Sequence, residues 1–421
     1  MDVELLTVGS ELLLGFTVDT NAVHIAQTLA RHGLRLTRHV TVADVPAEIA
    51  RAMRDGLART GVVLTTGGLG PTPDDVTREA AATVAGVPLE LDEAVLATVR
   101  DRFSALGRPA MAESNRVQAL VPRGAMVLPN PHGTAPGLWL ETLQGVLVLM
   151  PGVPREMRAM LADQVVPRLT QRTTPGAADP RTVHSHTLRT TGVSESTLAT
   201  QLEEIARDLG DVRLAFLPGV EGVDLRLTWG PGHADTGRDV VAVIARRVRN
   251  LVGLHWYGEE SEDLAKVLLD ALEKRAMRLA VAESCTGGMV GARLTAVPGA
   301  SRVFEGGVVS YGNRSKEREL GVPTVAIVRH GAVSQEVALA MARGVAGRFA
   351  TDAALAVSGV AGPDGGTADK PVGTVCLAAV VGSHERVLTR RFPGDREEIR
   401  QRAAQAALDL GRRLLLEEVG G

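Results

Sequence analysis

Apolar positions in the first 170 residues fall into short blocks that alternate between two periodicities. Residues 3–8, 62–66 and 145–150 are compact apolar runs of strand length, and 35–42 has a β-like pattern. Residues 20–32, 46–59, 74–85 and 155–169 place apolar side chains at helical spacing. Strands alternating with helices predict a parallel sheet covered by helices on both faces. In such sheets ligands sit where strand C-termini meet helix N-termini.

The polar, Pro- and Gly-containing stretch 170–180 (TQRTTPGAADP) predicts a linker. A small α+β module follows, with strands at 182–190 and 223–229 and helices at 195–209 and 239–252. The last part is again α/β. Helices are expected at 263–274, 287–294, 335–349 and 395–418, and strands at 278–282, 307–311, 353–358, 373–381 and 387–392. The expected domains are therefore 1–170, 171–258 and 259–421, with no short-period repeat.

Composition narrows the function. Of 421 residues, 45% are hydrophobic and 23% charged, a balance that supports folded cores and excludes a disordered chain. A net charge of −3 and 3% aromatics argue against a general nucleic-acid binder, which needs a basic surface or stacking platforms. Two cysteines exclude a disulfide framework and a Cys-rich zinc site. The acidic start, Met1-Asp2-Val3-Glu4, and the lack of a long apolar run predict a cytoplasmic protein with no membrane partner.

The 46 glycines cluster beside acidic and hydroxyl residues. In the first domain the clusters are GSELLLGFTVDTN (9–21), TTGGLGPTPDDVT (65–77), NPHGTAPG (130–137) and, later, MPGVPREM (150–157). In the second cluster an apolar strand ends in a glycine loop before a helix that starts at Asp74-Asp75. Glycines admit a ligand close to the backbone, and exposed N–H groups suit phosphate. Two carboxylates there repel a phosphate unless a cation lies between them, which points to Mg²⁺ or a similar divalent ion. The other reading of Asp74 or Asp75 is a helix N-cap.

These four motifs together resemble the N-terminal domain of the CinA (competence/damage-inducible) family, which shares the fold of molybdopterin-binding proteins of the MogA type. The resemblance implies an ADP-ribose pyrophosphatase that is metal-assisted and releases AMP and ribose 5-phosphate. Asp44 and Asp74 match the family's acidic positions, and Asp75 is a third candidate metal ligand. Mg, Mn or Co are the candidate metals, with K as a further candidate ion. The candidate nucleotide contacts are Gly67, Gly68, Gly70, Asn130, Gly133, Thr134, Pro151 and Gly152.

The middle module resembles the KH-like connector of the same family. Its GxxG, Gly219-Val220-Glu221-Gly222, carries an acid where an RNA backbone would lie, so a structural connector is expected. Gly192-Val193-Ser194-Glu195-Ser196 lacks the last glycine of a nucleophile elbow, so Ser194 is read as an N-cap. His184 and His186 share a strand face without an evident third metal ligand and are read as solvated.

In the last domain, AESCTGG (282–288), YGNRSK (311–316), HGAVS (330–334), SGVAGPDGG (358–366), KPVGTV (370–375) and Gly394-Asp395-Arg396 resemble the C-terminal CinA domain. That family deamidates nicotinamide mononucleotide (NMN). Amide hydrolysis needs a nucleophile, a base and an oxyanion site. Ser284 stands at a strand–helix junction and no histidine accompanies its loop, so a histidine triad is not signalled. A lysine serves as base when burial lowers its pKa. Lys316 is the candidate, and the resemblance implies a Ser/Lys pair at these positions with no cofactor. Arg396 is expected to bind the substrate phosphate or help activate Ser284. Thr286, Gly287, Gly288, Tyr311 and Asn313 are the candidate substrate contacts, the glycines through N–H groups. Cys285 is the rival nucleophile, read as a buried small residue, and Cys376 is expected in the core. The resemblance implies a homodimer acting on NMN and ADP-ribose. A non-enzymatic competence or recombination partner is the alternative.

Overall fold

The computed structural model describes residues 1–105, 111–172, 184–229 and 234–417, without the side chains of 184 and 234–238. Most of the expected linker lies outside the described residues. The chain divides into two compact units, Met1–His184 with Gly230–Arg238, and Ser185–Trp229 with Asp239–Gly421.

The first unit is built on a six-stranded sheet. In spatial order its strands are Arg35–Val42, Asp2–Val8, Val62–Thr66, Gly145–Met150, Gly137–Thr142 and Met126–Leu128. The first four are parallel, and each of the last two pairs antiparallel with the strand before it, so the parallel sheet has a mixed edge. Alternation of side chains divides each central strand between two cores. Leu147 and Leu149 pack with helices Pro46–Thr60, Thr77–Ala85 and Glu93–Ala105. Val146, Val148 and Met150 pack with Thr20–Arg31 and the helical run that begins at Pro154. The expected helices on both faces are present.

The expected helix from 74 starts later, at Thr77. Asp75 is drawn back into the preceding loop, where its carboxylate accepts from the N–H groups of Gly70 (2.7 Å) and Thr72 (2.9 Å). Neither Asp74 nor Asp75 is the N-cap, because Val76 occupies that position without a side-chain bond.

In the second unit the connector is a four-stranded sheet, ordered Val212–Pro218, Val223–Trp229, His184–Thr190 and Trp256–Glu259. The strand at 212 was not anticipated, since most of its side chains are at least partly exposed and its pattern is weak. The helix expected over 195–209 is two, Glu195–Gln201 and Glu203–Arg207. Ser194 caps the first through the N–H of Thr197 (3.2 Å). Gly219 N–H meets Gly222 carbonyl in a tight turn, and the Glu221 carboxylate pairs with Arg189, so the GxxG closes a hairpin.

The C-terminal sheet has five strands, ordered Phe304–Val309, Leu279–Glu283, Ala353–Gly359, Thr374–Val381 and His384–Arg391. The first three are parallel, and each of the last two pairs antiparallel with the strand before it. One face packs on Leu264–Glu273 and Arg396–Glu417, the other on Gln335–Phe349. The strand expected at 307–311 starts three residues earlier and ends two earlier. Gly306 and Gly307 lie inside it because a Cβ would meet the Phe349 ring at 2.7 Å or Val281 at 2.6 Å. Ser310 and Tyr311 are thereby released beyond the strand end.

Candidate functional site

Parallel pairing places the ends of Leu279–Glu283 and Phe304–Val309 side by side, with Glu283 opposite Val309. Ser284 follows the first strand, and its N–H is held by the Val357 carbonyl (2.9 Å). Ser310 follows the second, its N–H donating to the Glu283 carbonyl (2.8 Å). Helix Asn313–Leu320 then turns back and drives Lys316 into the gap between them.

Lys316 is 1% exposed. Its Nζ lies 3.0 Å from Ser284 Oγ, 2.7 Å from the Ser310 carbonyl and 3.1 Å from the Tyr311 carbonyl. Among the described residues it has no carboxylate partner, and burial pushes its pKa below the usual lysine value. The two carbonyls only accept, so they use two N–H bonds. When the amine is neutral its lone pair is left for the third neighbour, and Ser284 Oγ–H becomes the donor. This is the geometry of a general base on a serine nucleophile.

Arg396 and Tyr311 are joined to this pair at one remove. Arg396 donates to the Tyr311 hydroxyl (2.9 Å) and to the Gly362 carbonyl, and the Tyr311 backbone reaches Lys316. Arg396 is exposed and touches neither Ser284 nor Lys316 by hydrogen bond. Asn313 is exposed at the start of the helix that carries Lys316. Thr286 is fully buried, with an Oγ1 that has no partner, while its carbonyl accepts from Arg400 (2.9 Å). Ser310 Oγ is a second buried hydroxyl without a partner.

The expectation that Gly287 and Gly288 offer N–H groups to the substrate is corrected. Gly287 N–H bonds the Ser284 carbonyl (3.1 Å), and Gly288 N–H bonds the Glu283 carboxylate (2.9 Å). Glu283, 1% exposed, also takes the N–H groups of Val290 and Gly291, so the helix end is already neutralised. Both glycines instead supply positive φ, 63° and 100°, for the sharp turn after Ser284. Cys285 is buried beside the serine, and desolvation pushes its thiol up to about 12. It is a protonated packing residue, not a thiolate. Cys285→Ala should therefore leave any amidase activity within about two-fold of wild type, as read by ammonia release. Cys376 is a core residue as expected.

The first unit holds a cavity of about 520 Å³ at the C-terminal ends of its parallel strands. Gly67, Gly68, Gly70, Thr134, Pro151 and Gly152 line it, as do Asp44, Asp74 and Asp75. Gly67 has a φ of 106°, and a Cβ on it would lie 2.1 Å from the Val8 carbonyl oxygen, so the loop is fixed by close approach to the neighbouring strand. Asn130 and Gly133 do not line the cavity. Asn130 instead donates to the Glu156 carboxylate (2.7 Å), which does line it, and Gly133 packs where a Cβ would strike that carboxylate.

The lining contains six carboxylates, on Glu11, Asp19, Asp44, Asp74, Asp75 and Glu156, and no Lys, Arg or His. Asp75 is spent on the loop, and Asp44 accepts from Ser10 N–H (2.8 Å) through one oxygen. Among the described residues no three His, Cys, Asp or Glu are grouped to hold a metal. The donor set of oxygens alone suits a hard divalent ion that takes part of its shell from substrate and water. Asn21 Oδ1 and Gln118 Oε1 are buried acceptors here without hydrogen-bond partners, whereas Asp19 Oδ2 faces His39 Nε2 at 3.3 Å. Arg78, 3% exposed, ties down the Leu69 and Gly70 carbonyls.

Sequence reasoning missed Ser310, Arg400, Glu283 and Arg78. Arg400 had a signal, lying one helical turn after Arg396. Ser310 had none, since only strand register brings it to Ser284. In the connector, His186 stands 3.5 Å from Glu259 and 3.4 Å from Glu260, and the side chain of His184 is outside the described residues.

The sequence matches three families in chain order. They are described as "Probable molybdopterin binding domain" over residues 4–171, "Damage-inducible protein CinA KH domain" over 185–258 and "CinA C-terminal domain" over 261–415. The chain thus joins a molybdopterin-binding-type domain to a CinA-type C-terminal domain through a KH connector. A CinA-like protein of Gemmatimonas aurantiaca is 50% identical over 422 residues, covering 100% of this chain and 98% of that protein. One from Gloeobacter violaceus is 44% identical, covering 98% and 96%. This chain belongs to the CinA family.

Proposed function

We propose that the C-terminal domain is an amidohydrolase that converts NMN to nicotinate mononucleotide and ammonia. The observation that carries this reading is the buried lysine amine between two carbonyls and a serine hydroxyl. Neutral Lys316 takes the Ser284 proton while Oγ attacks the carboxamide carbon, forming a tetrahedral oxyanion. The C–N bond breaks as the lysine hands its proton to the departing ammonia. Water then attacks the acyl-serine, with Lys316 again as base, and releases the carboxylate. Thr286 and Ser310 each carry a buried hydroxyl without a partner, and these are the side-chain donors suited to the oxyanion. Arg396 is suited to the phosphate.

The test is the pH profile of ammonia release from NMN. Only the neutral amine accepts the serine proton, so the rate should rise with pH through the pKa of Lys316. Burial lowers that pKa, which places the half-maximum below the ordinary lysine value near 10.5. A rate that falls across the same alkaline limb, with the protein folded, contradicts the base assignment.

The first unit is assigned to hydrolysis of ADP-ribose to AMP and ribose 5-phosphate. Its support is the excess of carboxylates in the 520 Å³ cavity, because a diphosphate enters such a cavity only with a cation. Asp44 and Asp74 would hold a divalent metal, which would supply charge neutralisation and an activated water. The glycine loop brings backbone against the nucleotide. On this reading the protein acts on two fragments of the same dinucleotide, as a homodimer in the cytoplasm.

A further inference from the structure

One cavity and a set of unengaged donors stand outside both sites. In the second unit a pocket of about 310 Å³ opens between connector residues 191–194 and 220–222, the end of strand His384–Arg391 and the long helix Arg396–Glu417. Neither Ser284 nor Lys316 lines it. Arg402, Gln405, Asp409 and Arg413 are spaced along one face of that helix and all reach the pocket.

The polar groups there are unbalanced in one direction. Gln405 is 2% exposed, and its Oε1 accepts from Arg293 (2.7 Å), yet its Nε2 is buried without a partner. Arg402 Nε is buried without one as well. Neither Arg390 nor Arg402 forms an ion pair among the described residues. The two carboxylates in the lining are already engaged, Asp409 by Arg412 and Arg413, and Glu221 by Arg189 and Arg293. Every unsatisfied side-chain group in the lining is a donor. Native structures rarely leave buried donors unpaired, and the deficit here is an acceptor with negative charge.

We propose that this pocket binds a small phosphate monoester. On binding, Arg402 and Gln405 turn their buried Nε and Nε2 groups toward the pocket, where the phosphate oxygens accept from them and from the Arg390 guanidinium, and the organic part lies against Leu388 and Phe392. A dianion with three terminal oxygens matches two unpaired cations and donors on three residues, whereas a carboxylate supplies one charge and two oxygens. The volume lies at the small end of small-molecule pockets.

Calorimetric titration of the full chain with phenyl phosphate and with benzoate tests this. Wild type should bind phenyl phosphate at a site that the doubly substituted Arg390→Gln, Arg402→Gln protein binds at least about ten-fold more weakly. Gln405→Glu should weaken the same site, since it keeps an acceptor for Arg293 and replaces the free donor by an anion. Phenylglyoxal modification of Arg390 and Arg402, mapped by mass spectrometry, should slow when phenyl phosphate is present, which locates the site independently of the catalytic centres. Unchanged binding in the double variant, or modification at the same rate with and without phenyl phosphate, overturns the proposal. Tighter binding of benzoate than of phenyl phosphate overturns the phosphate assignment.

Discussion

Ser284→Ala should lower ammonia release from NMN by at least about a thousand-fold, with no matching loss of AMP release from ADP-ribose. The serine hydroxyl is the one group in this arrangement that forms a bond to carbon. Without it Lys316 retains its two carbonyl acceptors but has no proton to receive. Lys316→Ala should cost as much, because the two residues act as a unit and their losses do not add. The double variant should therefore be no slower than either single one. Since Lys316 lies fully inside the C-terminal domain, its replacement is checked by thermal unfolding, and Ser284→Ala, which removes one oxygen atom, guards against a folding artefact. Deamidation that survives Ser284→Ala would rule out the serine as nucleophile.

A chelator should abolish ADP-ribose cleavage while leaving ammonia release from NMN within about two-fold, because the carboxylate-rich cavity proposed to take a metal–diphosphate complex is lined by first-unit residues and not by Ser284 or Lys316. Asp44→Asn and Asp74→Asn should each lower AMP release at least about a hundred-fold. Asp75→Asn should act differently. Its carboxylate closes the loop through Gly70 and Thr72, so its replacement should reduce stability along with turnover. AMP production that is indifferent to chelator and to both substitutions would remove the metal from the account.

The parts of the fold legible in the sequence are those where burial sets the pattern. Strand Val62–Thr66 is buried at every position, and helix Gln335–Phe349 buries Val337, Ala338, Met341, Ala342 and Val345 at helical spacing. Both were read at their observed limits. Helix Asn313–Leu320 escaped because its sequence, NRSKEREL, has almost no apolar periodicity. Its buried positions are Lys316 and Leu320, so the residue facing inward on its first turn is the charged one. A lysine in a core position breaks the rule by which helices are recognised. The start of the helix expected at Asp74 lies three residues later, at Thr77, because Asp75 satisfies loop N–H groups instead of opening the helix.

The candidate dyad itself was legible as two residue types in two motifs, 32 positions apart, but not as a contact. Distance came from strand register, which sets Glu283 against Val309 and so Ser284 against Ser310. The role of the glycines after Ser284 was not legible. A Gly-Gly turn before a helix reads as an anion cradle, and only the buried Glu283 carboxylate shows that the cradle is already filled from within the chain.

The most direct measurement is mass spectrometry of the protein quenched in acid during turnover of NMN. The mechanism predicts a transient ester on the peptide that contains Ser284, heavier by nicotinate mononucleotide less one water and absent from Ser284→Ala. Full ammonia release with no adduct at any time point, or an adduct carried by Cys285, would contradict it.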